Sequence, residues 1–111
     1  MHEPLEMLST AAIEGEASPQ LIALLEHFWT ERRVAVELLG QPSADRLARK
    51  LAEQISAKAS GLERADAVRI AHTQLTLLRL WLGGETPGSA ADLAQKIARS
   101  SVLQIAAFTG H

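Results

Sequence analysis

Hydrophobic residues recur along this chain at spacings of three and four, and the pattern is interrupted only where glycine and proline cluster. The interruptions fall at Gly15, Gly40–Pro42, Gly61 and Gly83–Gly88. Between them Ala, Leu, Glu, Gln, Arg and Lys dominate and β-branched runs are missing, a composition that favours helix over strand. The expectation is an all-α domain of about five helices joined by short connections. The first helix runs near Glu3 to Glu14, with Pro4 in its first turn. The second starts at Ser18-Pro19 and continues to Leu39. The third follows Pro42-Ser43 and carries Ala44, Leu47, Ala48, Leu51, Ala52, Ile55 and Ala59 on one stripe, with Asp45–Arg49 and Arg49–Glu53 as ion pairs on its charged face. The fourth spans about Leu62 to Leu82 and the fifth Ala90 to about Phe108.

With 111 residues the chain is most simply one domain, in which residues 1–17 are expected to be a connecting helix and loop and 18–108 the core. Cysteine is absent, which removes disulfides, thiolate metal sites and cysteine nucleophiles together. A net charge of −2 and only four aromatic residues (two Trp, two Phe) argue against nucleic acid as a direct partner. No apolar run is long enough to span a membrane, and no signal-peptide pattern opens the chain. A soluble, cytoplasmic domain without membrane contact is expected.

The fourth and fifth helices carry apolar residues around half their circumference. In the fourth, Ala67, Val68, Ile70, Ala71, Leu75, Leu77, Leu78, Trp81 and Leu82 leave only an arc of Arg69, His72, Thr76 and Arg79 polar. The fifth is rich in small residues. Half-apolar helices need neighbours on two sides, so this pair is expected to bury surface against a second copy of the chain. Two polar residues stand among apolar neighbours. Arg32 projects from the stripe formed by Leu21, Leu24, Leu25, Phe28, Ala35, Val36 and Leu39, with Ile22 and Trp29 on its flank. Gln74 falls among Ile70, Leu77, Leu78 and Trp81. A buried guanidinium or amide needs partners, so each either bonds at a rim or helix interface or serves as a polar group in an otherwise apolar pocket.

Gly83-Gly84-Glu85-Thr86-Pro87-Gly88-Ser89 is glycine-rich and precedes a helix. It follows a helix rather than a strand, brings no lysine, and would place Glu85 against an anion, so it reads as a linker rather than a phosphate loop. A glycine stops one helix in a left-handed conformation, and Ser89 with Asp92 caps the next. The stretch from Asp92 to Phe108 lacks the turn glycine and the outward basic or amide face of a helix-turn-helix. The histidines at 2, 27, 72 and 111 form no ligand spacing. His27 and His72 read as solvated or hydrogen-bonded, and no nucleophile motif is present. No enzyme activity, metal or cofactor is expected.

The stretches "SPQLIALLEHFWTERRVAVELLG", "SADRLARKLAEQISAK" and "LLRLWLGGETPGSAADLAQKIA" together resemble the C-terminal ligand-binding and dimerisation domain of TetR-family transcriptional regulators. The likeness covers roughly residues 18–108 and is most specific at Trp81-Leu82, the Gly83–Gly88 loop and Ser89. It implies a homodimer in which the last two helices of each subunit form a four-helix bundle, and a small, hydrophobic effector enclosed by the earlier helices. On that layout Phe28, Trp29, Arg32, Gln74, Leu77 and Leu78 line the pocket. Leu75, Trp81, Leu82, Leu93, Ala94, Ile97, Ser101 and Ile105 form the dimer interface. The family's N-terminal helix-turn-helix has no counterpart in these residues, so this chain is expected to make no direct nucleic-acid contact. The alternative is a structural helical interaction module with no small-molecule ligand.

Overall fold

The structure is a computed structural model that describes residues 3–40 and 43–109. His2, His111 and the expected turn at Pro42 lie outside the described residues. Among those described there are six helices and no strand: α1 (Glu3–Glu14), α2 (Pro19–Thr30), α3 (Arg32–Leu38), α4 (Ser43–Lys58), α5 (Arg64–Leu82) and α6 (Ala90–Thr109). None is long and apolar enough to cross a membrane.

The helix ends follow local chemistry. Ser18 Oγ accepts from the Leu21 amide (3.1 Å) ahead of Pro19, satisfying a donor that the first turn leaves free. At α6 the Ser89 amide donates to the Asp92 carboxylate (3.0 Å) and the Asp92 amide to Ser89 Oγ (3.2 Å), a reciprocal cap. Gly84, at φ +80°, takes the left-handed turn that ends α5. α6 then runs without interruption to Thr109, so the segment expected not to hold a helix-turn-helix holds none.

The expected second helix is two helices. Glu31, at φ −105° and ψ 35°, leaves the helical region and separates α2 from α3. No glycine or proline marks the break. Thr30 Oγ1 donates to the Glu26 carbonyl (3.1 Å), a back-bond of the kind that bends helices. The dislocation changes which side of the segment faces inward: Ala35 and Leu39 stay buried, but Val36, expected in the core, is 39 % exposed.

The principal correction concerns α1. Instead of connecting, it packs against α4, α6 and α2, and buries Leu5, Leu8, Ser9, Ala11 and Ala12. α5 in turn packs against α4, α6 and α3. Together these neighbours cover the apolar half of α5, where Ala67, Ile70, Ala71, Gln74, Leu75, Leu78, Trp81 and Leu82 are all buried within one chain. A radius of gyration of 12.9 Å agrees with about 13 Å for a single folded domain of this size. The premise that α5 and α6 require a second copy to cover these residues is therefore wrong, because α3, α4 and α6 cover α5 while α1 and α2 cover α6. Arg69, His72, Thr76 and Arg79 do form the exposed polar arc expected of α5. On α4, Glu53 reaches across to Arg64 of α5 (3.6 Å).

The α1–α2 turn is built for glycine. Gly15 sits at φ +69°, and a Cβ there would come within 2.5 Å of Val102 Cγ2 on α6. Gly15→Ala is expected to cost about 2–3 kcal/mol, combining left-handed strain with the clash. Adding Val102→Ala should recover the steric part and leave about 1–2 kcal/mol, read by urea unfolding of both variants.

Candidate functional site

Gln74 lies at the meeting of three helices. Its Nε2 donates to the Leu8 carbonyl of α1 (3.0 Å) and to Ser101 Oγ of α6 (3.0 Å), while Ser101 Oγ donates to the Ile97 carbonyl (2.7 Å). Its Oε1 is buried with no hydrogen-bond partner. The buried amide thus bonds across helix interfaces, as one of the two readings of its position requires. A second cross-link joins the same helices where Gln104 Nε2 donates to Thr73 Oγ1 (3.0 Å). Beneath α1, Lys58 Nζ gathers Glu6 Oε1 (2.8 Å), Ser9 Oγ (2.8 Å) and Thr10 Oγ1 (3.2 Å), fastening α4 to α1.

Arg32 does not enter an apolar pocket. As the first residue of α3 it is exposed, its guanidinium donates to the Trp29 carbonyl (3.1 Å), and its Cζ lies 4.9 Å from the Trp29 ring centroid. Trp29, itself 40 % exposed, packs on Trp81 with centroids 4.9 Å apart and planes at 39°. The Trp81 indole N–H donates to the Gly88 carbonyl (3.0 Å). This chain of contacts joins the α2–α3 break to the loop before α6. It explains the tryptophan at the end of α5: the ring is almost wholly buried and its nitrogen ties the loop down.

Two concavities flank α5. One is a cleft beneath α3, enclosing about 40 Å³ and lined by Pro4, Leu5 and Leu8 of α1, Phe28, Ala35, Leu38, Leu39, Leu47 of α4, and Leu75 and Leu78 of α5. Every lining residue is apolar. The other is an open groove of about 580 Å³ along the outer side of α5 and α6, bounded by Leu77, Pro87, Asp92, Gln95, Lys96, Arg99, Ser100 and Leu103.

The expected pocket residues therefore separate. Phe28 and Leu78 reach the cleft; Leu77 lies on the outer groove; Gln74 bonds behind the cleft wall to the Leu8 carbonyl; and Trp29 and Arg32 are at the surface. Of the residues expected at a dimer interface, Leu75, Trp81, Leu82, Leu93, Ala94, Ile97 and Ser101 are buried by their own chain, and Ile105 is partly so. Those assignments are corrected. The residues that the sequence pattern did not single out are Leu103, Ser100 and Lys96 on the outer groove and Pro4, Leu5, Leu8 and Leu47 in the cleft. Leu103 was detectable, since it lies off the stripe of Leu93, Ile97 and Ser101 that faces inward. Both His27 and His72 are exposed. Among the described residues no three His, Asp or Glu side chains gather as a metal site requires.

Comparison with protein-family models, curated proteins and solved structures finds no match.

The orphaned Oε1 gives Gln74 a distinctive mutational signature. Gln74→Ala should destabilise the fold by about 2–4 kcal/mol through the cavity it leaves. Gln74→Met keeps the volume and removes the orphan, and both former acceptors retain or regain helical partners. Its cost should be under about 1 kcal/mol in chemical denaturation. Equal losses for both variants would mean that the amide bonds, and not the volume, carry the stability.

Proposed function

We propose that this chain is a dimerisation and effector-binding module of the TetR-regulator type, and that it pairs through the outer face of α5 and α6. The observation that carries the dimer is Leu103, 64 % exposed on α6 beside Leu77 and the small Ser100. A large apolar side chain left exposed in a groove beside a second leucine marks an interaction surface. The rim carries both signs of charge, with Asp92 opposing Lys96 and Arg99, so a two-fold axis can bring unlike charges together from two identical faces. The same helices named from the sequence thus pair, but through the side opposite to the buried stripe.

The resemblance of the Trp81–Ser89 junction to that family supports the effector half of the reading, and the apolar cleft beneath α3 is where a ligand would enter. Two observations favour the second reading, a structural dimerisation module without a ligand: Arg32 stands at the solvent edge, and the cleft holds far less than the roughly 300–1,000 Å³ of ligand-sized pockets.

Sedimentation equilibrium tests the dimer and a thermal-shift screen tests the effector. The 12.0 kDa chain is expected to sediment as a dimer at micromolar concentration, and Leu103→Glu as a monomer. The variant's unfolding free energy per protomer should change by less than about 0.5 kcal/mol once the concentration-dependent dimer contribution is subtracted, because Leu103 is a surface residue of the protomer. A single 12.0 kDa species at all concentrations removes the dimer. A thermal-shift screen of small molecules in which none raises the melting temperature removes the effector and leaves the structural module.

A further inference from the structure

We infer that the cleft beneath α3 is a site for a slim, uncharged hydrocarbon chain, and that α3 is the lid that admits it. This deepens the effector half of the proposed function and rests on that reading.

The lining decides the chemistry of the occupant. Ten side chains bound the cleft, all apolar, contributed by α1, α2, α3, α4, α5 and Leu39 at the end of α3. A charged or hydrogen-bonding group inside it would lose its water and gain no partner. An extended peptide is excluded for the same reason, because each residue brings a backbone amide and carbonyl that the wall cannot satisfy. A helix is excluded by size. What remains is an alkyl or similarly slim apolar group, whose transfer from water is favourable without any directional contact.

The closed volume decides that something must move. About 40 Å³ is well below even the roughly 150 Å³ cavity that accommodates benzene. Of the helices around the cleft, α3 is the one made to yield. It has seven residues, packs only on α2 and α5 among its stronger helix contacts, and is separated from α2 by the break at Glu31. Only Ala35 and, just beyond its end, Leu39 are buried; Val34, Val36 and Leu38 are 56, 39 and 41 % exposed. Leu38 is both exposed and a wall of the cleft, so it stands at the mouth. Opening α3 about Glu31 exchanges little buried area of its own for an enlarged apolar chamber. The movement also has a built-in reporter. Arg32, the first residue of α3, lies over Trp29, and Trp29 packs on Trp81, so lid displacement alters the surroundings of both tryptophans in the chain.

The test uses the whole chain, with 1-hexanol, 1-octanol, 1-decanol and 1,8-octanediol as probes and tryptophan emission together with calorimetry as readouts. The alkanols should bind saturably at one per protomer, tightening about threefold to fourfold per methylene until the chamber is full. The diol, which must bury a hydroxyl at the closed end, should bind at least tenfold more weakly than 1-octanol. Ala35→Phe places a ring from the lid into the cleft and should abolish binding, whereas Val34→Ser on the outer side of α3 should leave it unchanged. Leu103→Glu should also bind normally, which distinguishes the cleft from the α5–α6 groove. Absence of saturable alkanol binding, equal binding of diol and alkanol, or loss of binding with Leu103→Glu overturns the inference. So does unaltered binding by a folded Ala35→Phe; if that variant does not fold, the diol comparison on the unmodified chain decides. If polar or charged compounds raise the melting temperature while alkanols do not bind, this assignment fails and the effector reading stands. If no compound of either kind binds, both fail.

Discussion

The structure depends on how the apolar half of α5 is covered. Eight of its residues must leave water, and a chain of this size has few helices with which to surround them. α4, α6 and α3 pack on it, and α1 lies across α4 and α6 to close the core. Once α1 occupies that place, the buried stripe of α6, from Leu93 through Ile97 to Ser101, is also satisfied internally. Leu103, on the outer flank of α6, stays exposed. That flank is more mixed in polarity than the stripe that forms the core.

Gln74 and Arg32 show how one physical demand has two outcomes. Neither can be left buried and unpaired. Gln74 lies deep on α5 and finds its partners in the Leu8 carbonyl and the Ser101 hydroxyl, so it sets the spacing and register of α1 and α6 about α5. Arg32 escapes instead. The break at Glu31 reorients the chain so that the guanidinium stacks on Trp29 at the surface rather than entering the stripe. The break that frees Arg32 also makes α3 a separate, short element over the cleft. Leu77 and Leu78, adjacent in sequence, then divide the two sides of α5: one edges the outer groove and the other the cleft. α5 is therefore an element shared by both surfaces.

The all-α class, the helix ends at Gly15, Ser18, Gly84 and Ser89, and the polar arc of α5 were legible because they are local. A Ser-Pro cap, a Ser-x-x-Asp cap and a left-handed glycine report on hydrogen bonds within four residues. The identity of the inward-facing residues of α4, α5 and α6 was legible for a related reason, since helical periodicity converts spacing directly into a face. Which molecule covers such a face is a different matter: Trp81 or Leu93 buried within its own chain has the same spacing as one buried by a second copy. The break at Glu31 was equally silent, because it rests on a threonine back-bond and a tryptophan contact from α5, not on a glycine or proline.

The amino-acid order by itself thus determined that the chain is helical, where its loops turn and which stripes must be buried, because these follow from neighbours a few residues apart. Only the tertiary structure decided that α1 belongs to the core, that Arg32 faces solvent and that Leu103 rather than Leu93 is exposed. Each depends on contacts between residues far apart in the chain, and no local spacing encodes which of several apolar stripes will meet.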